Sequence, residues 1–179
     1  MAKHKVFVSY HHKDQTQVDQ FIKKFSDQAD IFITRGLGIE MNDDVIESTD
    51  VDYIMQQIRE RYIKDSTVTI VLIGSDTWSR RYVDWEIQSS LRYQENGAST
   101  DPLPNGLLGI RLGEGYRLPP RLKDNLGQGG QGQSYAKIYD YPESASELAG
   151  WIDEAFNSRV DRRHLIVNPR GRFRYNKQP

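Results

Sequence analysis

The segment SDTWSRRYVDWEIQSS, residues 75–90, places the acid Glu86 directly after Trp85 and eight residues after Trp78. A carboxylate held at a site can transfer protons or stabilise developing positive charge. A glutamate in a helix is more often a solvated surface residue, and Trp78 and Trp85 are more often packing residues than stacking ones. Asp84 is the competing acid, but it projects from a different face of a helix and we expect it in solvent. The elements around this segment must therefore decide the role of Glu86.

A second group of polar side chains, Ser9-Tyr10-His11-His12, ends the first apolar run of the chain. Ser9 either contacts the ribose or phosphate of a substrate or is a buried hydroxyl that the backbone satisfies. His11 and Tyr10 follow at the same place. Two adjacent histidines without cysteine or acid partners at ligand spacing do not indicate a metal site, so we predict none.

The hydrophobic pattern alternates strand and helix five times, which predicts an α/β protein. The third run, STVTIVLIG, is apolar throughout, as in a central parallel strand buried on both faces. We predict a flavodoxin-like three-layer sandwich with a five-stranded parallel sheet in the order 2-1-3-4-5. The predicted strands are 5–10, 30–34, 66–74, 106–112 and 135–141.

The connections between these strands carry further predictions. Asp14 and Asp50 stand where they would cap the first and second helices. Residues 34–50 form a long irregular stretch, and long loops in compact domains are often functional. Residues 113–134 are rich in glycine, proline and glutamine and are expected to be mostly loop.

In this kind of sheet, ligands bind beyond the carboxyl ends of strands 1 and 3, where the winding reverses. Residues 9–14 and 74–78 occupy those ends, so Ser9, His11, Ser75 and Trp78 are candidate binding residues. Arg35 follows the second strand and could reach a diphosphate, although an exposed surface arginine is the commoner outcome.

Composition and charge point to one domain with a basic tail. The 179 residues carry a formal net charge of −1 and include no cysteine, which excludes disulfides and thiol nucleophiles. From residue 159 onward the chain has six arginines, one lysine and one aspartate. We predict a domain over 1–158 and a basic, partly flexible tail over 159–179 that adds little to stability.

No apolar run is long enough for a signal peptide or a membrane span, so we expect a cytoplasmic protein with no membrane partner. We do not expect nucleic acid as a partner at this overall charge.

Several activities known on this kind of fold fit the sequence poorly. A phospho-receiver needs an acidic cluster after strand 1 and an aspartate at the end of strand 3, where this chain has Ser9-Tyr10-His11 and Gly74-Ser75. A flavodoxin needs a phosphate-holding loop after strand 1. There is no dinucleotide fingerprint in the first strand–helix turn and no P-loop. The glycine-rich LGQGGQG (126–132) neither follows a strand nor opens a helix and is interpreted as a flexible loop.

Two motifs resemble those of TIR domains. KVFVSYHHKD resembles their opening strand, which runs apolar-Phe-x-Ser-aromatic and then reaches an aspartate. VTIVLIGSDTWSRRYVDWEI resembles their third strand and third helix, where an aromatic follows a serine and a Trp or Cys precedes Glu-apolar. The resemblance covers about residues 3–158 and looks nearest to the TIR-like branch that includes the TIR-like subunit of the bacterial Thoeris anti-phage system.

The resemblance implies an activity on NAD+ as substrate, with no cofactor. Enzymatic TIR domains break the bond between nicotinamide and ribose with an essential helix-three glutamate, which would be Glu86 here. They yield ADP-ribose or a cyclised or conjugated form, which in Thoeris systems signals to a separate effector protein. Substrate binding by Ser9, Tyr10, His11, Arg35, Ser75 and Trp78 would complete the site.

Two other functions stay open at this point. A catalytically silent TIR-like module would act through TIR–TIR self-association or partner contacts, although such a scaffold has no need of the Glu86 carboxylate. An enzyme related to nucleoside deoxyribosyltransferases would use similar glycosidic chemistry on a related fold.

Overall fold

The computed structural model describes residues 3–37, 50–92, 103–127 and 133–178, and its core is a five-stranded, all-parallel sheet. The strand order is β2-β1-β3-β4-β5, as predicted. The strands are β1 (His4–Ser9), β2 (Phe32–Leu37), β3 (Val68–Ile73), β4 (Gly106–Arg111) and β5 (Lys137–Tyr139). The α-helices are α1 (Gln15–Ile22), α2 (Val51–Ile58), α3 (Arg81–Ser90), α4 (Pro120–Asp124) and α5 (Ala145–Asp161). Helix α1 continues as a π-helical turn over Lys23–Gln28, and α2 does so over Arg59–Ile63.

The apolar side chains pack on both faces of the sheet. On one face, Phe21 and Phe25 of the first helical segment and Ile152 of α5 cover the strands. On the other face, Val83 and Ile87 of α3 pack with the residues of β3 and β4. All six residues of β3 are buried, which confirms that it is the central strand.

Two predicted helix caps have different outcomes. The Asp50 carboxylate accepts the backbone N–H groups of Asp52 at 3.0 Å and Tyr53 at 3.3 Å, which confirms the cap of α2. Asp14 occupies the cap position of α1, but its side chain makes no capping hydrogen bond. It turns toward Thr77 instead, at the site described below.

The end of β2 differs from the one predicted. β2 extends to Leu37, so Arg35 lies inside the strand rather than after it. The register with β1 shifts there, since Val6 pairs with Thr34 and Phe7 with Gly36, which leaves Arg35 as the extra residue of a bulge. Most of the predicted long stretch, residues 38–49, lies outside the described residues, as does 128–132 of the glycine-rich loop.

The segment predicted as mostly loop contains the short helix α4. Its N-cap is Pro119 and its first residue is Pro120, a favoured residue type at this position. Arg121 and Leu122 of α4 are completely buried. The remaining described residues of 113–134 are in neither helix nor strand, so the prediction of mostly loop is confirmed. A five-residue helix has too short a periodicity to stand out against its proline- and glycine-rich surroundings.

Helix α3 is buried on all sides from Val83 to Ser90. A helix on the surface of a sheet normally leaves one polar face in water. Here residues 166–178, which we call the C-terminal strap, run along that face in the opposite direction to the helix. Asn168 bonds to Gln88 O, and Lys177 N donates to Ser79 O at the other end.

This arrangement corrects the expectation that the basic tail buries little. Leu165 and Ile166 pack against the apolar cluster of α3 and β3, and Phe173 is 9% exposed. The tail arginines also find acids on the domain, since Arg170 pairs with Asp124 and Arg172 with Asp52. Long-range partners of this kind leave no local signal in the sequence.

Deletion of residues 166–179 is therefore expected to lower the melting temperature by more than about 10 °C, because several kcal/mol of packing and buried hydrogen bonds disappear. Differential scanning calorimetry of the full and shortened chains measures the change. Removal of Gln178 and Pro179 alone is the control and should leave the melting temperature unchanged, because Gln178 is exposed. A shift of only a few degrees on the longer deletion would mean that the strap adds nothing to stability.

Candidate active site

Glu86 lies in the middle of α3 and points toward the end of β1. Its side chain is 1% exposed, and the Ser9 hydroxyl donates a hydrogen bond to Glu86 Oε2. Ser9 is the last residue of β1 and is completely buried. The structure therefore joins the two side chains that stand at the centre of the predicted site.

Strand alternation explains which residues meet Glu86. Successive side chains of a strand point to opposite faces of the sheet. Val6, Val8 and Tyr10 face the α1–α5 side, where Tyr10 is 4% exposed and its hydroxyl donates to Gln15 Oε1 at 2.7 Å. Phe7 and Ser9 point to the face on which α3 packs. Tyr10 is thus a core residue here, on the other side of the sheet from Glu86.

The surroundings of Glu86 favour its neutral form. Burial raises the pKa of the Glu86 carboxyl to about 8, and the Ser9 hydrogen bond and the positive charge of Arg80 only partly oppose this effect. The carboxyl group therefore keeps its proton at neutral pH in the closed, unliganded protein. A positive charge that arrives beside it would favour ionisation.

His11 stays neutral for a related reason. Burial, together with the positive charges of His12 and Arg80, lowers the pKa of His11 to about 4. Its Nδ1 accepts the backbone N–H of Lys13 at 3.0 Å and so caps the turn that follows β1. A neutral ring can accept or donate a hydrogen bond to a ligand without adding charge.

The loops that follow β1 and β3 are fastened to each other. Thr77 Oγ1 accepts the backbone N–H of Gly74 at 2.9 Å and donates weakly to Asp14 Oδ2 at 3.5 Å. A Cβ atom on Gly74 would lie 2.1 Å from Asp14 Oδ2, so any other residue there would displace the Asp14 carboxylate. Burial raises the pKa of Asp14. Lys13 pairs with Asp76 at 2.7 Å across the same two loops.

Of the remaining predicted residues, Ser75 and Trp78 follow β3, whereas Arg35 lies inside β2. Trp78 stands in a short turn, Thr77–Ser79, and the extended backbone of Arg80 separates that turn from α3. In a continuous helix, the spacing of eight residues would place Trp78 near the same face as Glu86. Trp78 lies outside α3, so the two side chains do not share a helix face. Its ring is half-buried with the Arg117 guanidinium 4.8 Å from the centroid. Ser75 and Arg35 are exposed.

Arg80 was missed as a site residue. It precedes α3 directly, and its positive charge acts on both Glu86 and His11. The Arg80 guanidinium is partly buried, and this burial lowers its pKa. Its position six residues before the candidate acid was the only available signal.

Asp84 corrects another expectation, because it is buried rather than solvated. It is 2% exposed and accepts two hydrogen bonds from Arg121, Nε to Oδ1 at 2.9 Å and Nη2 to Oδ2 at 3.2 Å. Phe173 N also donates to Oδ2, at 3.0 Å. Arg121 completes its own bonding on the strap, with Asn168 Oδ1 and the carbonyls of Arg170 and Gly171.

Trp85 is a packing residue. It is 3% exposed, lies with Phe7, Ile54 and Ile58 between α2 and α3, and donates from Nε1 to Phe173 O at 2.9 Å. Asp84 and Trp85 together therefore attach α3 to α4, α2 and the strap, which fixes the helix that carries Glu86.

The all-parallel sheet in the order β2-β1-β3-β4-β5 defines the class of protein as a doubly wound α/β domain. The family model described as Thoeris protein ThsB, TIR-like domain, matches residues 7–113, and the chain belongs to this family. The matched residues include Ser9, His11 and Glu86, whereas Arg121 and the strap lie beyond them. A search of curated proteins gave no match. Within the described residues, no helix has the length and apolar character needed to span a bilayer.

Asp84→Asn is expected to destabilise the fold by about 3–5 kcal/mol, because it leaves the buried Arg121 guanidinium without a countercharge. Urea unfolding followed by tryptophan fluorescence measures the loss. Asp76→Asn is the matched control: it breaks the exposed pair with Lys13, and exposed pairs contribute at most about 1 kcal/mol. Equal, small losses in both variants would contradict a structural role of the Asp84–Arg121 pair.

Proposed function

We propose that this protein cleaves the bond between nicotinamide and ribose in NAD+ and acts in anti-phage defence. The observation that carries the proposal is the contact between Ser9 and Glu86 at the carboxyl end of β1, inside the region that the Thoeris family model matches. In this proposal the ADP-ribose part, in a predicted cyclic form, is a signal that activates a separate effector protein.

The chemistry needs only one carboxylate. When the bond between C1′ of the ribose and the ring nitrogen breaks, its electron pair leaves with nicotinamide, whose positive charge is thereby neutralised. No general acid is required for this leaving group. The ribose becomes oxocarbenium-like, and an adjacent carboxylate stabilises its positive charge, as acids do in glycosidases. Water then adds to C1′ and loses a proton to give ADP-ribose, or a nucleophilic atom of the substrate itself closes a ring.

The raised pKa of Glu86 fits this scheme if the bound substrate supplies a positive charge that stabilises the carboxylate form. The nicotinamide ring of NAD+ is cationic, and an opposite charge within about 4–6 Å favours the ionised form of a carboxyl group. Binding would therefore convert the neutral carboxyl group of Glu86 into the carboxylate that the reaction needs. Ser9 can hold one carboxylate oxygen throughout.

The closed state of the site also favours a second candidate function. With Glu86 1% exposed, the side chains around it must move before a nucleotide can reach the carboxyl group. A protein that never opens this site would act as an interaction module through TIR–TIR or partner contacts. The two functions are separated by incubation of the purified protein with NAD+, with and without extract of phage-infected cells, and product detection by mass spectrometry.

Glu86→Gln tests the catalytic role directly. This substitution keeps the size of the side chain and most hydrogen bonds but removes the negative charge. Product formation is expected to fall at least ~100-fold, which corresponds to about 2.7 kcal/mol of transition-state stabilisation. Initial rates of nicotinamide release from NAD+ measure the effect.

Glu114→Gln is the matched control, because Glu114 is exposed and undergoes the same chemical change at the loop that follows β4. It should keep the parent rate. If Glu86→Gln also keeps the parent rate, Glu86 is not the catalytic acid. If the parent itself shows no turnover in any condition, the interaction module is the better account.

A further inference from the structure

The C-terminal strap has two parts that are held to the domain in different ways. Up to Phe173 it is anchored: Phe173 is 9% exposed, and its carbonyl accepts the Trp85 indole N–H at 2.9 Å. Beyond it, residues 174–178, which we call the strap end, are all exposed. Among the described residues, two hydrogen bonds and the Lys177 Nζ group, 4.5 Å from the centre of the Phe173 ring, hold the strap end in place. Because it buries no apolar side chain, the strap end can leave the domain at little cost while the rest of the strap stays.

The two hydrogen bonds of the strap end flank a single residue, Arg80. On one side, Lys177 N donates to Ser79 O at 2.9 Å. On the other side, Arg81 N donates to Asn176 Oδ1 at 2.9 Å. Arg80 separates the short turn after β3 from α3, and its backbone is extended, with φ −78° and ψ 122°. A single extended residue between two helical segments can act as a hinge, because it can absorb a change of backbone angles. The strap end therefore fixes this hinge from both sides.

The hinge lies beside the acid of the candidate site. Side chains of an α-helix lean toward its N-terminus, so the Glu86 side chain extends over the first turn of α3, toward Arg80. The positive charge of Arg80 opposes the raised pKa of Glu86 and lowers the pKa of His11, which agrees with this placement. Glu86 is 1% exposed and Ser9 is completely buried, so a nucleotide cannot reach them in this conformation. Movement of the turn that ends at Arg80 is therefore one way to open the site.

We propose that the strap end is an autoinhibitory latch, which holds the turn before α3 closed beside Glu86 and whose release admits the substrate. This inference rests on the proposed cleavage of NAD+, because it assigns the regulation of that same site. Release costs little at the helix itself. The Arg81 N–H belongs to the first turn of α3, where the helix offers it no acceptor, and water can replace Asn176. The rate of NAD+ cleavage then follows the population of the released form.

Asn176→Ala in the full chain is the first test of the latch. It removes the hydrogen bond to Arg81 N and leaves the anchored part of the strap intact. Loss of one hydrogen bond changes an equilibrium constant by about two- to tenfold, so the initial rate of nicotinamide release at low NAD+ concentration should rise by about that factor. A chain that ends at Tyr175 loses both bonds and should be faster still. Its melting temperature should stay within a few degrees of the parent value, since residues 166–173 remain.

Two variants are matched controls. Asn176→Asp keeps an acceptor oxygen for the Arg81 N–H and adds a negative charge that suits a helix N-terminus, so it should react at the parent rate or more slowly. Tyr175→Ala changes a neighbouring side chain that is 78% exposed and should keep the parent rate. An effect of substitution at this position as such, rather than of the lost hydrogen bond, would appear in Asn176→Asp as well and would contradict the latch.

The pKa of the Glu86 carboxyl group provides a readout that needs no NAD+. In the closed protein, burial raises this pKa to about 8. Release of the strap end brings water to the carboxyl group, so the pKa should fall in Asn176→Ala and further in the chain that ends at Tyr175. A lowered pKa without NAD+ turnover in any variant would support the latch and contradict the proposed function. The latch is overturned if the shortened chain keeps the parent pKa at Glu86, or if it cleaves NAD+ no faster than a measurably active parent.

Discussion

The ion pair between Asp84 and Arg121 is the interaction on which the arrangement of α3 depends. Both side chains are almost fully buried, at 2% and 0% exposure. The transfer of two charges out of water is costly unless every remaining donor and acceptor finds a partner. Asn168 and the carbonyls of Arg170 and Gly171 supply the partners that Arg121 still needs, and the N–H of Phe173 serves Asp84. The pair can therefore be buried only when the strap is in place.

The same constraint explains why a polar helix can be enclosed on all sides. Gln88, Ser89 and Ser90 are buried although they would suit a solvated face. Thr69 and Ser90 share a hydrogen bond of 2.7 Å below the helix, and Asn168 of the strap bonds to the Gln88 carbonyl above it. The Ser90 hydroxyl and the Gln88 carbonyl are thus engaged on opposite sides of α3, which holds Glu86 against Ser9, although the Gln88 side-chain Oε1 has no hydrogen-bond partner among the described residues. Preorganisation of this kind is what electrostatic catalysis requires.

Two acids separated by one residue on α3 have opposite surroundings. Asp84 faces a guanidinium in a two-bond pair, which suits a carboxylate. Glu86 accepts a hydrogen bond from the Ser9 hydroxyl, and burial raises its pKa to about 8 although the positive charge of Arg80 opposes this effect. Environments that separate the behaviour of neighbouring acids are typical of sites that assign them different tasks. Here one acid fixes the helix, and in the proposed function the other responds to the charge of the substrate.

The sequence predicts the parts of the molecule that repeat with a local period. The apolar run of β3, the strand–helix alternation and the cap at Asp50 each follow from neighbouring residues, and the sheet order is confirmed. The position of Ser9 beside the acid also follows, because both stand at the switch point of the sheet. The burial of Asp84 could not be predicted, since its partners Arg121 and Phe173 are 37 and 89 residues away. The bulge at Arg35 and the short helix α4 likewise depend on tertiary contacts rather than on local pattern.

The pKa of the Glu86 carboxyl group is the quantity that tests the proposed site most directly. The full-length protein, labelled with carbon-13 at the glutamate carboxyl groups, can be titrated by NMR, and the spectrum of Glu86→Gln assigns the Glu86 signal. The account predicts that this carboxyl group titrates near pH 8 in the free protein, since burial raises its pKa to about 8, and at a lower pH once NAD+ is bound. A free-protein pKa near the ordinary glutamate value of about 4.3 would contradict it, because Glu86 would then be a solvated carboxylate and not the buried group that α3 and the strap hold in place.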